Sequence, residues 1–145
     1  MSVSSAELDL LLTELAPLVG SRLQKAAQPE PLLVVLELRL PGRSVLLQLC
    51  AAPGAGRLNI VDSRSPSPPK PFAFQGLLRV KLTGAQLAAL ERPGPTAVGL
   101  VFDTPEGRRT FLVEWDARSG DLALLDGEGR VLHAAGDRLR GRGLT

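Results

Sequence analysis

The chain has 145 residues, of which 44% are apolar, with 17 basic and 15 acidic side chains, four Phe, one Trp and no Tyr. That length suits one compact domain, able to bury roughly 70% of the surface its unfolded chain exposes, and the scarcity of aromatics leaves few platforms for stacking. A single cysteine, Cys50, excludes an internal disulfide framework and a single histidine, His133, excludes a zinc site of the usual spacing, so no metal or cofactor is expected and a reducing cytoplasm is the expected compartment.

Met1-Ser-Val-Ser-Ser has no basic flank or apolar run, and no stretch approaches the roughly 18 apolar residues of a membrane span; neither secretion nor membrane insertion is expected. Ser4-x-x-Glu7 reads as a capping box, because its hydroxyl and carboxylate satisfy the free N–H groups that open a helix. Leu8, Leu11, Leu12 and Leu15 follow at helical spacing until Pro17 stops the helix near Ala16. Strands are predicted over 22–26 and 32–40, where Leu36, Leu38 and Leu40 alternate with Glu37 and Arg39. After a Pro41-Gly42 turn, further strands run over 44–50 and 57–61, joined by short hairpin connections.

Ser63-Arg-Ser-Pro-Ser-Pro-Pro-Lys-Pro71 cannot continue a sheet, since proline has no N–H to donate, and is expected to be an exposed loop. Two short helices are predicted next, over 72–80 and 83–91, the second opened by Thr83-x-x-Gln86 and closed by Pro93-Gly94. Strands return over 97–102, 109–115, 121–125 and 130–133. The fold class is therefore α+β: two packed, mostly antiparallel β-sheets, a β-sandwich, with an N-terminal helix and two short central helices. Residues 1–135 are read as a single domain and 136–145, with Arg138, Arg140 and Arg142, as a flexible basic tail.

Charge is unevenly spread. Residues 1–37 hold five acids and two bases, 91–145 nine acids and eight bases, but 38–90 hold seven bases against Asp62 alone. Such a basic middle suits phosphate or an acidic partner; a general arginine bias, fourteen Arg beside three Lys, is the plainer alternative. No active site can be assembled. Cys50 falls in an apolar strand, His133 on a terminal strand, and Glu114 and Asp116 flank Trp115 where solvent exposure or pairing with Arg118 explains them. The Gly-rich loop before Arg57 lacks the Lys-Ser/Thr of a phosphate-binding loop and leads into a strand.

Four segments carry a family resemblance: Glu14-Leu-x3-Val-Gly20-x-Arg22-Leu-x-Lys25-x2-Gln28-Pro29; Leu46-Leu-Gln-Leu-x7-Arg57-Leu-Asn-Ile60; Pro68-Pro-x-Pro-Phe72-Ala-Phe74 with Leu77-Leu-Arg79-x2-Leu-x-Gly84; and Leu112-Val-Glu114-x3-Arg118-x2-Asp121-Leu-x-Leu-x-Asp126-x2-Gly129. In order and spacing they resemble the amino-terminal domain of the NFACT family, ribosome quality-control factors whose bacterial members were long labelled fibronectin-binding. The resemblance implies a fold similar to the amino-terminal domain of formamidopyrimidine-DNA glycosylases, and binding of the large ribosomal subunit and of tRNA for untemplated tail addition.

Departures from the family pattern limit that transfer. Pro95-Thr96 stands where the family has an Asp-Arg pair tied to tRNA recruitment, Ala73-Phe74 replaces Cys-Met, and Val80 replaces a lysine. The family also continues into a helix-hairpin-helix, a coiled coil and a second NFACT domain. The glycosylase nucleophile, an amino-terminal proline beside a glutamate, has no counterpart in Met1-Ser-Val-Ser. The expected function is a non-catalytic RNA- or ribosome-binding module contacting ribosomal RNA or tRNA through Arg22, Lys25, Arg57, Arg79 and Lys81. The alternative is a protein-interaction adaptor that docks through loop 63–71 and the arginine tail.

Overall fold

A computed structural model of the chain describes residues 4–63, 66–115, 119–136 and 138–139. Helix α1 spans Ser5–Leu15 and passes into a 3-10 turn at Ala16–Leu18. Ser4 caps it as the sequence implies, its hydroxyl accepting from the Glu7 N–H at 3.2 Å. Strands β1 (Arg22–Glu30), β2 (Leu33–Leu40), β3 (Arg43–Cys50) and β4 (Arg57–Val61) precede helix α2 (Ala73–Leu82). Strands β5 (Gln86–Gly94), β6 (Ala97–Thr104), β7 (Gly107–Trp115), β8 (Gly120–Leu125) and β9 (Val131–Ala134) follow.

The described strands form one antiparallel sheet in the order β4-β3-β2-β1-β5-β6-β7-β8-β9, where two separate sheets were expected. The link between its halves is narrow: β1 meets β5 at the Arg22–Gln86 pair, reinforced by Gly20 N–H to Leu87 O, Leu87 N–H to Ser21 O and Gly84 N–H to Leu23 O, each at 2.8 Å. Inner faces of both halves nevertheless contribute to one core, with Leu36 and Leu47 from one side and Leu100, Phe102 and Phe111 from the other. Where the halves meet, the Trp115 indole N–H donates to the Cys50 carbonyl at 2.7 Å. Two glycines permit that approach: a Cβ on Gly56 would lie 2.4 Å from Trp115 Cδ1, and one on Gly120 2.3 Å from the Ala51 carbonyl oxygen.

The predicted second central helix is a strand. Gln86 to Glu91 is rich in helix formers, but Gly84, at φ +87°, turns the chain before the Thr83 box can nucleate a helix. β5 then pairs with β6 over nearly its whole length, with Leu87 and Leu90 reaching the core, so tertiary pairing overrides local propensity. Helix α2 packs on the inner side, where Phe74 meets Phe111 edge-on at 6.0 Å and the His133 ring at 5.8 Å.

Part of the segment expected to be a loose tail is held. The buried carboxylate of Asp121 accepts from the N–H groups of Leu122, Gly136 and Leu139 at 2.8, 2.6 and 2.9 Å. Leu139 is thereby buried on Ala123 and Ala134. Arg138 donates to Glu114 at 2.7 Å and to Ser119 at 3.0 Å. Asp137 and 140–145 lie outside the described residues, as do Asp116, Arg118 and Arg64. The described part of the proline-rich loop, from Pro66 to Pro71, is mostly exposed, as expected.

Candidate nucleic-acid interface

One end of the β1–β2–β3 meander holds a concavity of about 660 Å³, bordered by Gly20, Gly42, Gly84, Arg22, Gln24 and Arg39. Strand register builds it. Arg22 of β1 stands directly opposite Arg39 of β2, which in turn stands opposite Ser44 of β3. The Pro41-Gly42 turn, with Gly42 at φ +77°, joins β2 to β3 beside them. A Cβ on any of the three bordering glycines would meet nothing within 4 Å, so the concavity is open where they border it.

Both guanidinium groups are oriented but not neutralised. Arg22 Nη1 donates to the Gly84 carbonyl at 2.7 Å. Arg39 Nη1 donates to the Ser44 hydroxyl at 3.3 Å, and that hydroxyl donates to Gln24 Oε1 at 3.3 Å. Among the described residues the ion pairs involve Arg92, Arg108, Arg130 and Arg138; neither Arg22 nor Arg39 has one. Like charges directly opposed across a ladder destabilise a sheet, and this pair has no carboxylate between its members.

The five residues chosen from sequence divide. Arg22 lies in the concavity. Lys25 shares its face of β1, since a bulge after Leu23 restores the alternation, but it faces Glu37 across the ladder. Arg79 and Lys81 sit in the last turn of α2, whose exit through Thr83 and Gly84 borders the concavity. Their charge also complements the negative end of the helix, and Arg109 donates to the Lys81 carbonyl at 3.0 Å. Arg57 is separated from the rest: it pairs with Cys50 at the far end of β3 from Ser44, about 20 Å away at ~3.3 Å per strand residue. Arg39 was missed as a site residue, although alternation in Leu36-x-Leu38-x-Leu40 put it on the wet face. The signal that would have singled it out is the Pro41-Gly42 hairpin, which places it beside Ser44 at the ladder's end.

Pro95-Thr96 forms the turn between β5 and β6, and it is tied down by a different arginine. Arg92 donates to the Pro95 carbonyl at 3.0 Å, to the Ser5 hydroxyl at 2.8 Å and to the Gly94 carbonyl at 3.3 Å, and forms an ion pair with Asp9. Two adjoining concavities lie on the outer side of the β5–β9 half and share Pro93, Leu112 and Leu125; Val131 and Glu114 line one, and Val101, Glu91, Asp126 and Arg108 the other. Backbone N–H groups of Arg130 and Glu128 hold the Asp126 carboxyl below the usual carboxylate range. No three His, Cys, Asp or Glu side chains gather as a metal site among the described residues. No described helix is long and apolar enough to cross a membrane.

The chain is thus an antiparallel β-domain covered by two helices, with a basic concavity at one strand-turn end. Residues 5–137 match the model of a family described as NFACT N-terminal and middle domains, and the chain belongs to that family. The N-terminal domain of the fibronectin-binding protein PavA from Streptococcus pneumoniae is similar at 26% identity and a TM-score of 0.84, over 92% of this chain and 53% of that one. The N-terminal part of the fibronectin/fibrinogen-binding protein from Streptococcus suis is similar at 26% identity and 0.85, over 93% and 54%. The fibrinogen-binding protein from Staphylococcus aureus, at 19% identity and 0.81, covers 94% of this chain and 51% of its own and shares the fold. The chain thus spans about half the length of these solved chains. No curated protein matches it in sequence.

Proposed function

We propose that this domain is a non-catalytic RNA-binding module of ribosome-associated quality control, holding ribosomal RNA or tRNA in the cytoplasm on a fold of glycosylase-domain ancestry. The observation that carries the reading is the ladder-opposed pair Arg22 and Arg39, without a carboxylate partner among the described residues and facing an open concavity. Family membership supports the choice of RNA over other polyanions. Arg79 and Lys81 lie in the last turn of α2, shortly before the Thr83–Gly84 exit that borders the concavity, and add positive charge near it. Binding of purified tRNA and of large ribosomal subunits across a salt series tests it. Affinity should fall linearly on logarithmic axes, with a slope of about 0.7–0.9 per phosphate contacted. Binding indifferent to salt overturns it.

A second reading, an adaptor for a protein partner, is favoured by the apolar surface of the β5–β9 half with Glu91 and Asp126 at its edge. Solved relatives named for fibronectin and fibrinogen binding point the same way. An apolar segment with polar or charged flanks is the chemistry that surface fits, since Arg108 lines it beside Glu91 and Asp126. Capture of a nuclease-resistant protein partner, lost in Leu112→Asp but retained in Arg22→Gln, would establish this reading; loss in Arg22→Gln alone would count against it.

A further inference from the structure

We propose that Arg22 and Arg39 act together as a two-arginine clamp on a single phosphate group. The inference rests on the RNA-binding reading for the molecule that carries the phosphate, but the clamp is a more specific claim about two residues. Directly opposed ladder positions lie about 4.5–5.5 Å apart at Cα, so both guanidinium groups project from neighbouring points on one face. Each is steered by a single hydrogen bond through Nη1, to Gly84 O and to Ser44 Oγ. Their remaining N–H groups have no acceptor among the described residues. Arg22 is anchored toward the Gly84 side of β1 and Arg39 toward the β3 side of β2, so the two charged forks flank the space between them with N–H groups to spare.

Phosphate fits this arrangement better than carboxylate. A carboxylate offers two coplanar oxygens, which a single arginine fork satisfies. A phosphate group offers oxygens in tetrahedral directions, so two forks can grip it from different sides. The three bordering glycines have open space beside them, and about 660 Å³ is room for the sugar and base attached to the phosphate. The shared ligand chemistry is a nucleotide phosphate, present either as a terminal monoester or as an internal diester.

Titration of the full chain with three probes distinguishes these sources: adenosine 5′-monophosphate for the monoester, the dinucleotide ApA for the diester, and adenosine for neither. The readout is the NMR position of the arginine Nε–H signals, assigned through Arg22→Gln and Arg39→Gln. Saturable movement of both signals with one or both phosphate probes, absent with adenosine and weakened about tenfold or more by either substitution, is the expected result. Equal movement with adenosine, or movement of one signal without the other, overturns the clamp. Unchanged backbone amide spectra verify that both variants remain folded. If tRNA binds with the same salt slope in both variants while neither phosphate probe moves the signals, the clamp fails and the RNA reading survives. Phosphate capture without any tRNA binding would sustain the clamp and overturn the RNA reading.

Discussion

Arg92 and the Arg22–Arg39 pair use the same side chain in opposite ways. Arg92 is largely buried at the junction of α1 with the β5–β6 turn, and its donors are taken by Ser5, Asp9, Gly94 and Pro95. Arg22 and Arg39 are exposed, make one hydrogen bond each, and face one another. An arginine whose donors converge on its own chain fixes the fold. Two arginines at directly opposed ladder positions, with no ion pair among the described residues, reduce the sheet's stability unless a ligand neutralises them.

Substitutions at both places test that contrast. The largest stability loss is expected for Arg92→Ala, which frees the start of α1 and the β5–β6 turn: about 2 kcal/mol, a fall in Tm of roughly 8 °C, with tRNA affinity of the folded protein unchanged. Calorimetry and binding on the same sample check both halves of that statement. For Arg22→Gln and Arg39→Gln the pattern reverses. Each should weaken tRNA binding about tenfold, while thermal stability stays level or rises by ~0.5 kcal/mol because a like-charge contact is removed. A drop in Tm comparable to that of Arg92→Ala would assign these arginines to the fold.

Smaller effects mark the limits of the site. Arg57→Ala, about 20 Å along β3 from the concavity, should change tRNA affinity less than twofold in a filter-binding assay. Asp126→Ala removes the acceptor for the Glu128 and Arg130 N–H groups in the β8–β9 turn. Because the Asp126 carboxyl is held below its unfolded value, its contribution is present above that value and lost as pH falls through the folded one. Wild type should therefore lose a small part of its stability on acidification that the Ala variant does not, a difference visible in melting curves between neutral and acidic pH.

Much of the fold was legible because alternation and turn chemistry are local. Leu36-x-Leu38-x-Leu40 with Pro41-Gly42, and the Ser4–Glu7 box, specified a strand, a turn and a helix start that the structure contains. Two features were not local. The Gln86–Glu91 stretch carries helical residues, and its strand state is imposed by β1 and β6 from either side. The continuity of the sheet depends on the Arg22–Gln86 pairing, which no periodicity in either segment records. The candidate site was legible in part for the same reason. An excess of positive charge in residues 38–90 can be counted in the sequence, but only register brings Arg39 beside Arg22 and leaves Arg57 at the other end.

The most direct measurement is the salt dependence of tRNA and large-subunit binding for the parent chain and for the Arg22→Gln/Arg39→Gln double variant. A steep slope is expected for the parent and one shallower by about 0.7–0.9 for the double variant, since both arginines engage a single phosphate. Identical slopes and affinities for the two proteins would contradict it.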